Sequence, residues 1–197
     1  DDSQTIMQTK NTALTKVSGV VTADTMARFT TLLQAGILLT IRQGGTIAEL
    51  LASLPGFTHE YANQRIQTIF LNGLPADDLE QQLFGADAVL ALSAAMPGLA
   101  GAIFRKNGVH APLRTAAVKV LDESSQVPNP INVRLKLFNM IAVERGGEIL
   151  QSGCLIAAET LTRFLAYRPP LAAQIRDLKV NGRPLSVQEL CALLAGE

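Results

Sequence analysis

The segment Ile66-Gln-Thr-Ile-Phe-Leu-Asn72-Gly73-Leu-Pro75-Ala-Asp77-Asp-Leu-Glu80 recurs without a gap as Ile175-Arg-Asp-Leu-Lys-Val-Asn181-Gly182-Arg-Pro184-Leu-Ser186-Val-Gln-Glu189. The offset is constant from Ile66 and Ile175 to Glu80 and Glu189. Such self-similarity constrains the architecture more than any single motif, because it divides 197 residues into two small related units. The expected division is a first unit over residues 1–114, including an N-terminal extension, and a second over 115–197.

Local patterns around the repeat support a mixed α+β chain. Residues 1–22 read either as a tail or as a short hairpin around Ser18-Gly19. Met26, Phe29, Leu32 and Leu33 fall on one face of a helix over Asp24–Ala35, which Gly36 can end. Ile37–Ile41 suits a buried strand, and Thr46-Ile-Ala-Glu49 has capping-box form at the start of a helix that Pro55-Gly56 stops. Residues 57–64 read as a loop insertion. Ile66–Leu71 is a strand, and Asn72-Gly73 is a turn because both residues accept positive φ. Asp77–Glu80 reads as a capped helical turn and Asp87–Ser93 as another strand. Asp122–Pro130 is linker-like. Val133, Leu135 and Leu137 alternate with Arg134 and Lys136 as a one-sided strand, and Gly146-Gly147 reads as a turn. Thr160–Tyr167 is a helix stopped by Pro169-Pro170; Ser186-Val-Gln-Glu189 repeats the capping-box form.

These elements resemble the small ubiquitin-like sulfur carriers of the molybdopterin and thiamine pathways. The match in the first copy is Thr46-Ile-Ala-Glu-Leu-Leu51, Phe70-Leu-Asn72-Gly73, Gly85-Ala-Asp87-Ala-Val-Leu-Ala-Leu-Ser93 and the Pro97-Gly98 loop. In the second copy Val133–Phe138 stands where the family's first strand would be, and Asn181-Gly182 where its turn would be. The resemblance implies two β-grasp-like units, each a mixed sheet packed on a helix, the second open to permutation. It does not imply sulfur carriage. That chemistry needs a terminal Gly-Gly, whereas Gly101 continues into Ala102 and the sequence closes on Ala195-Gly196-Glu197. The second copy also lacks a counterpart of Asp87–Ser93; either Ala116–Leu121 or another chain is expected to fill the gap.

The chain is neutral overall, which excludes the electrostatic footprint of a general nucleic-acid binder. No apolar run reaches the roughly 20 residues of a membrane span. The nearest, Ala88–Phe104, is interrupted by Ser93 and Pro97, and the chain reads as a cytoplasmic protein. Cys154 and Cys191 are too few for a disulfide framework; they read as buried thiols, with a bridge between them left open.

The densest candidate site is the glycine-rich, basic segment from Ser93 to Arg114. Gly98 and Gly101 would let backbone amides approach a ligand, and Arg105, Lys106 and Arg114 could hold a phosphate or carboxylate. His110 lies among them as a candidate base with no partner to name. The segment carries neither a Walker nor a Rossmann fingerprint. His59 beside Glu60 reads as a surface residue, and Asp77, Asp78 and Glu80 as helix-capping carboxylates. No metal spacing and no cofactor motif is present. The first expectation is therefore a non-enzymatic interaction or scaffold protein that binds a partner or itself. The second is a small-anion or nucleotide-binding module using Gly98–Arg114, and the third an enzyme of unspecified reaction.

Overall fold

The computed structural model describes residues 14–95 and 130–196. In chain order they form β1 (Val17–Val20), α1 (Ala23–Phe29), a 3-10 segment (Thr30–Gln34), β2 (Ile37–Ile41), α2 (Ile47–Ala52) and α3 (His59–Arg65). Then come β3 (Thr68–Leu71), β4 (Leu74–Ala76), β5 (Asp87–Ser93), β6 (Ile131–Phe138) and α4 (Asn139–Ser152). The C-terminal part supplies α5 (Ala158–Ala166), α6 (Pro169–Ala172), β7 (Arg176–Val180), β8 (Arg183–Pro184) and α7 (Val187–Ala195). The fold class is α+β, with two sheets ordered β2-β6-β5-β3-β4 and β1-β7-β8.

The larger sheet is mixed. β6 runs parallel to β5, from Asp87↔Asn132 to Ser93↔Phe138, and antiparallel to β2, from Ile37↔Leu135 to Ile41↔Ile131. Alternation explains the placement. Ile131, Val133, Leu135 and Leu137 are all fully buried, and this register lays them beside Leu90, Leu92 and Ile37 on one face. Ile47, Leu50 and Leu51 of α2, with Ile141 and Ile149 of α4, close the core over that face. Val133–Phe138 thus belongs to the sheet of the first copy, where the sequence pattern had suggested the opening strand of the second.

In the smaller sheet the described strand on the side of β7 away from β8 comes from the N-terminal part of the chain. This is β1, with Val17↔Val180 and Ser18↔Lys179 in antiparallel register. Ser18-Gly19 is strand, neither tail nor hairpin turn. Ala116–Leu121 lies outside the described residues. Leu178 and Val180 face a second core made with Leu32, Phe164, Leu165, Leu171 and Leu190.

Four local expectations are corrected by packing. Gly146-Gly147 lies inside α4. A Cβ on Gly146 would sit 2.8 Å from Leu33 Cδ1 and from Thr30 Cβ, so this glycine permits close helix packing and makes no turn. The helix expected over Asp24–Ala35 tightens at Thr30, where the Thr30 and Thr31 hydroxyls donate to the carbonyls of Ala27 (2.7 Å) and Arg28 (2.9 Å) and compete with the helical ladder. The insertion at 57–64 is largely helix, because Thr58 accepts from the Tyr61 amide and caps α3. Asp77–Glu80 forms no helix. The carbonyls of Leu79 and Gln81 instead accept the free first-turn amides of Ala48 (2.8 Å) and Ile47 (3.1 Å) of α2. Both capping boxes, Thr46/Glu49 and Ser186/Glu189, form as the sequence suggests. Thr160 is buried, and Ala157 stands at the N-cap position of α5 with no side-chain cap, while Pro169-Pro170 opens α6 rather than merely ending a helix.

The two Asn-Gly hairpins share one construction. Asn72 and Gly73 have φ of 52° and 80°; Asn181 and Gly182 have 50° and 82°. The turn asparagine then clasps a third strand. Asn72 donates its amide to the Val89 carbonyl and accepts the Val89 amide on Oδ1, both at 2.8 Å. Asn181 does the same to Lys16, at 2.8 and 2.9 Å. β1 therefore stands to β7-β8 as β5 stands to β3-β4.

Candidate functional site

Gly98, Gly101, Arg105, Lys106, His110 and Arg114 all lie outside the described residues. The chain departs toward them just beyond β5. There Thr68, Ser93 and Phe138 are in register across three strands, and Asn139 Nδ2 donates to Ser93 Oγ at 2.8 Å. Asn139 has φ 52°, which bends the backbone sharply from β6 into α4. Thr68 is 1 % exposed and its hydroxyl has no hydrogen-bond partner among the described residues. This strand end offers neutral hydroxyl and amide groups.

The two copies differ in what they show to water. At matching repeat positions Gln67, Phe70 and Leu74 become Arg176, Lys179 and Arg183. The three cations of the second copy are exposed, as is Lys16 just before β1, and none of the four forms an ion pair among the described residues. Register places Lys16 and Lys179 on the same outer face as Ser18, opposite the buried Leu178 and Val180. Asp177, at φ 47°, is the acidic residue in β7. On that outer face the small sheet carries Lys16 and Lys179, whereas Arg183 pairs with buried Val180 and Arg176 stands two residues before buried Leu178. The gain of positive charge is already written in the sequence, where it appears on comparing one copy of the repeat with the other.

The backbone of β1 adds a second feature. Antiparallel partners alternate between bonded and unbonded pairs. Asn181 donates to the Lys16 carbonyl, so the next pair, Val17–Val180, is unbonded, and the Val17 N–H and C=O face away from β7. In the larger sheet the matching side of β5 carries β6. Among the described residues that side of β1 carries no strand, and Ser18, Gly19 and Val20 are exposed.

Two other clusters are structural in character. Glu144 on α4 accepts from Tyr61 Oη at 2.8 Å and Arg65 Nε at 3.2 Å, with Arg65 Nη2 on its other oxygen. The Arg145 guanidinium lies 4.2 Å from the Tyr61 ring centre. The bond from Arg65 holds the Glu144 carboxyl below its ordinary range, and burial first, then Glu144, pushes the Tyr61 phenol up to about 12. A phenol that keeps its proton and donates a hydrogen bond to the Glu144 carboxylate fastens α3 to α4. The other cluster is an apolar groove of about 450 Å³ lined by Leu165, Pro169, Ile175, Val187 and Cys191. Cys154 and Cys191 are free, and burial raises the Cys154 thiol to about 11, far from thiolate chemistry at neutral pH.

His59 is exposed and contacts Asn63 Nδ2 at 3.1 Å through Nδ1. Among the described residues no three His, Cys, Asp or Glu side chains converge as a metal site, and no helix is long and apolar enough to cross a membrane. No family model, curated protein or solved structure matches the chain.

Proposed function

We propose that this chain is a non-enzymatic interaction protein built from two β-grasp-like units. The order β2-β6-β5-β3-β4, with a parallel central pair and α2 between β2 and β3, supports the reading for the first unit. In that reading β6 takes the first-strand position although it follows β5 in the chain, so the permutation belongs to the first unit. The repeated asparagine clasp supports a second, smaller unit completed by β1.

The single observation that carries the functional reading is the β1 side of the second unit, flanked by Lys16 and Lys179 and without a further strand among the described residues, in the place where the first unit is closed by β6. Sheet edges with unsatisfied amides recruit strands. A thermal-shift comparison tests the reading against its nearest rival, binding of a small anion or nucleotide by the Gly98–Arg114 segment. The interaction reading expects no stabilisation by nucleotides, phosphorylated metabolites or inorganic phosphate. A ligand at about 100 times its dissociation constant stabilises by about 2.7 kcal/mol, so a clear rise in Tm with any of them would favour the anion reading.

A further inference from the structure

We infer that the outer edge of β1, which carries no strand among the described residues, takes up an extended, acidic segment of a partner protein, added as a strand parallel to Val17–Val20. The inference deepens the interaction reading and rests on it. Direction comes from the matching place in the larger sheet, where β6 lies parallel to β5. Hydrogen bonding comes from Val17, whose N–H and C=O face away from β7.

Side-chain chemistry follows from the pleat. An added strand alternates its residues between the two faces. Those on the inner face would lie beside Val17, which packs against the core of Leu178 and Val180, and should be apolar. Those on the outer face would lie beside Lys16 and Ser18, with Lys179 on the next strand, and should be acidic. The fitting segment is a short alternation of Glu or Asp with Val or Ile. A second copy of this chain fits poorly. Pairing β1 with β1 would bring the Lys16 and Lys179 side chains of both copies onto one surface, and facing like charges destabilise a strand pair.

The test uses the full chain with three capped, labelled hexapeptides: alternating Glu-Val, the same composition with the three Glu and three Val in blocks, and alternating Lys-Val. Fluorescence anisotropy should show the alternating acidic peptide binding at least tenfold more tightly than either control. The preference should fade with added salt. Val17→Pro removes the outward N–H without touching a β1–β7 bond, and should abolish binding. Lys16→Glu with Lys179→Glu should invert the preference toward the Lys-Val peptide, and keeps the test decisive if the proline variant misfolds. Equal binding of the alternating and block peptides, no inversion by charge reversal, or no binding of the acidic peptide would each overturn the inference. Those failures would leave the broader interaction reading standing, since it falls to a small-molecule thermal shift instead.

Discussion

Gly146 and Gly147 are neighbours in one helix with opposite surroundings. A Cβ at 146 meets Leu33 and Thr30 at 2.8 Å, whereas at 147 it would meet only Met26 Cγ at 3.8 Å. Helix propensity alone favours alanine by about 1 kcal/mol at either position. Overpacking at 146 costs about 1–3 kcal/mol and should win. Urea unfolding should therefore show Gly147→Ala stabilised and Gly146→Ala destabilised; a shift of both in the same direction would contradict the packing. The pair read as a turn in the sequence because the deciding contact comes from residues more than a hundred positions away. Glu144 gives a second residue-scale expectation. Its folded-state pKa is depressed, chiefly by Arg65, so its contribution is present above the unfolded value of about 4.3 and is lost as pH falls through the folded value. The stability gap between the native chain and Glu144→Gln, measured by denaturation from pH 7 to pH 3, should narrow below about pH 4. A gap that stays constant would remove the ion pair as its cause.

Among the elements, the clasped hairpins connect sequence to architecture most directly. Replacing Asn72 or Asn181 by glycine keeps the left-handed turn but deletes the bond to Val89 or Lys16. Each change should cost about 1 kcal/mol. The effects should also be local: Asn181→Gly should speed amide exchange at Lys16, and Asn72→Gly at Val89. No change at either amide would mean that the clasp is not formed. Much at this scale was legible. Asn-Gly set both turns, and the Thr46 and Ser186 boxes set both capped helices, because those signals act within four residues. What the turn asparagine grips was not legible, since Lys16 and Val89 share no local pattern with the hairpins they join.

Across the whole molecule, two cores meet along one seam. Leu32 belongs to the second core and its neighbour Leu33 to the first, while Ile156 packs against both. The Thr25 hydroxyl donates to Gln174 Oε1 at 2.6 Å, and the Leu38 amide donates to the Leu155 carbonyl at 2.8 Å, adding further ties between distant parts of the chain. The repeat forecast two related hairpins, and Asp87–Ser93 pairs with the first of them, but Val133–Phe138 enters the sheet of the first copy and not of the second. Alternation specifies which face of Ile131–Phe138 is buried, and not which sheet it enters. The candidate site was legible in part: the charge difference at 176, 179 and 183 is written in the repeat, but the outer edge of β1 exists only once the sheet is assembled. Strand assignment is therefore what the functional proposal depends on most. Backbone nuclear Overhauser contacts in the full-length chain test it directly. Contacts should link β5 to β6, as between Leu90 and Leu135, and β1 to β7, as between Val17 and Val180, with none from the outer side of Val17 to another strand. Contacts from Ile131–Phe138 to β1 or β7 would place β6 in the second sheet, close the proposed edge and contradict both the fold and the function argued from it.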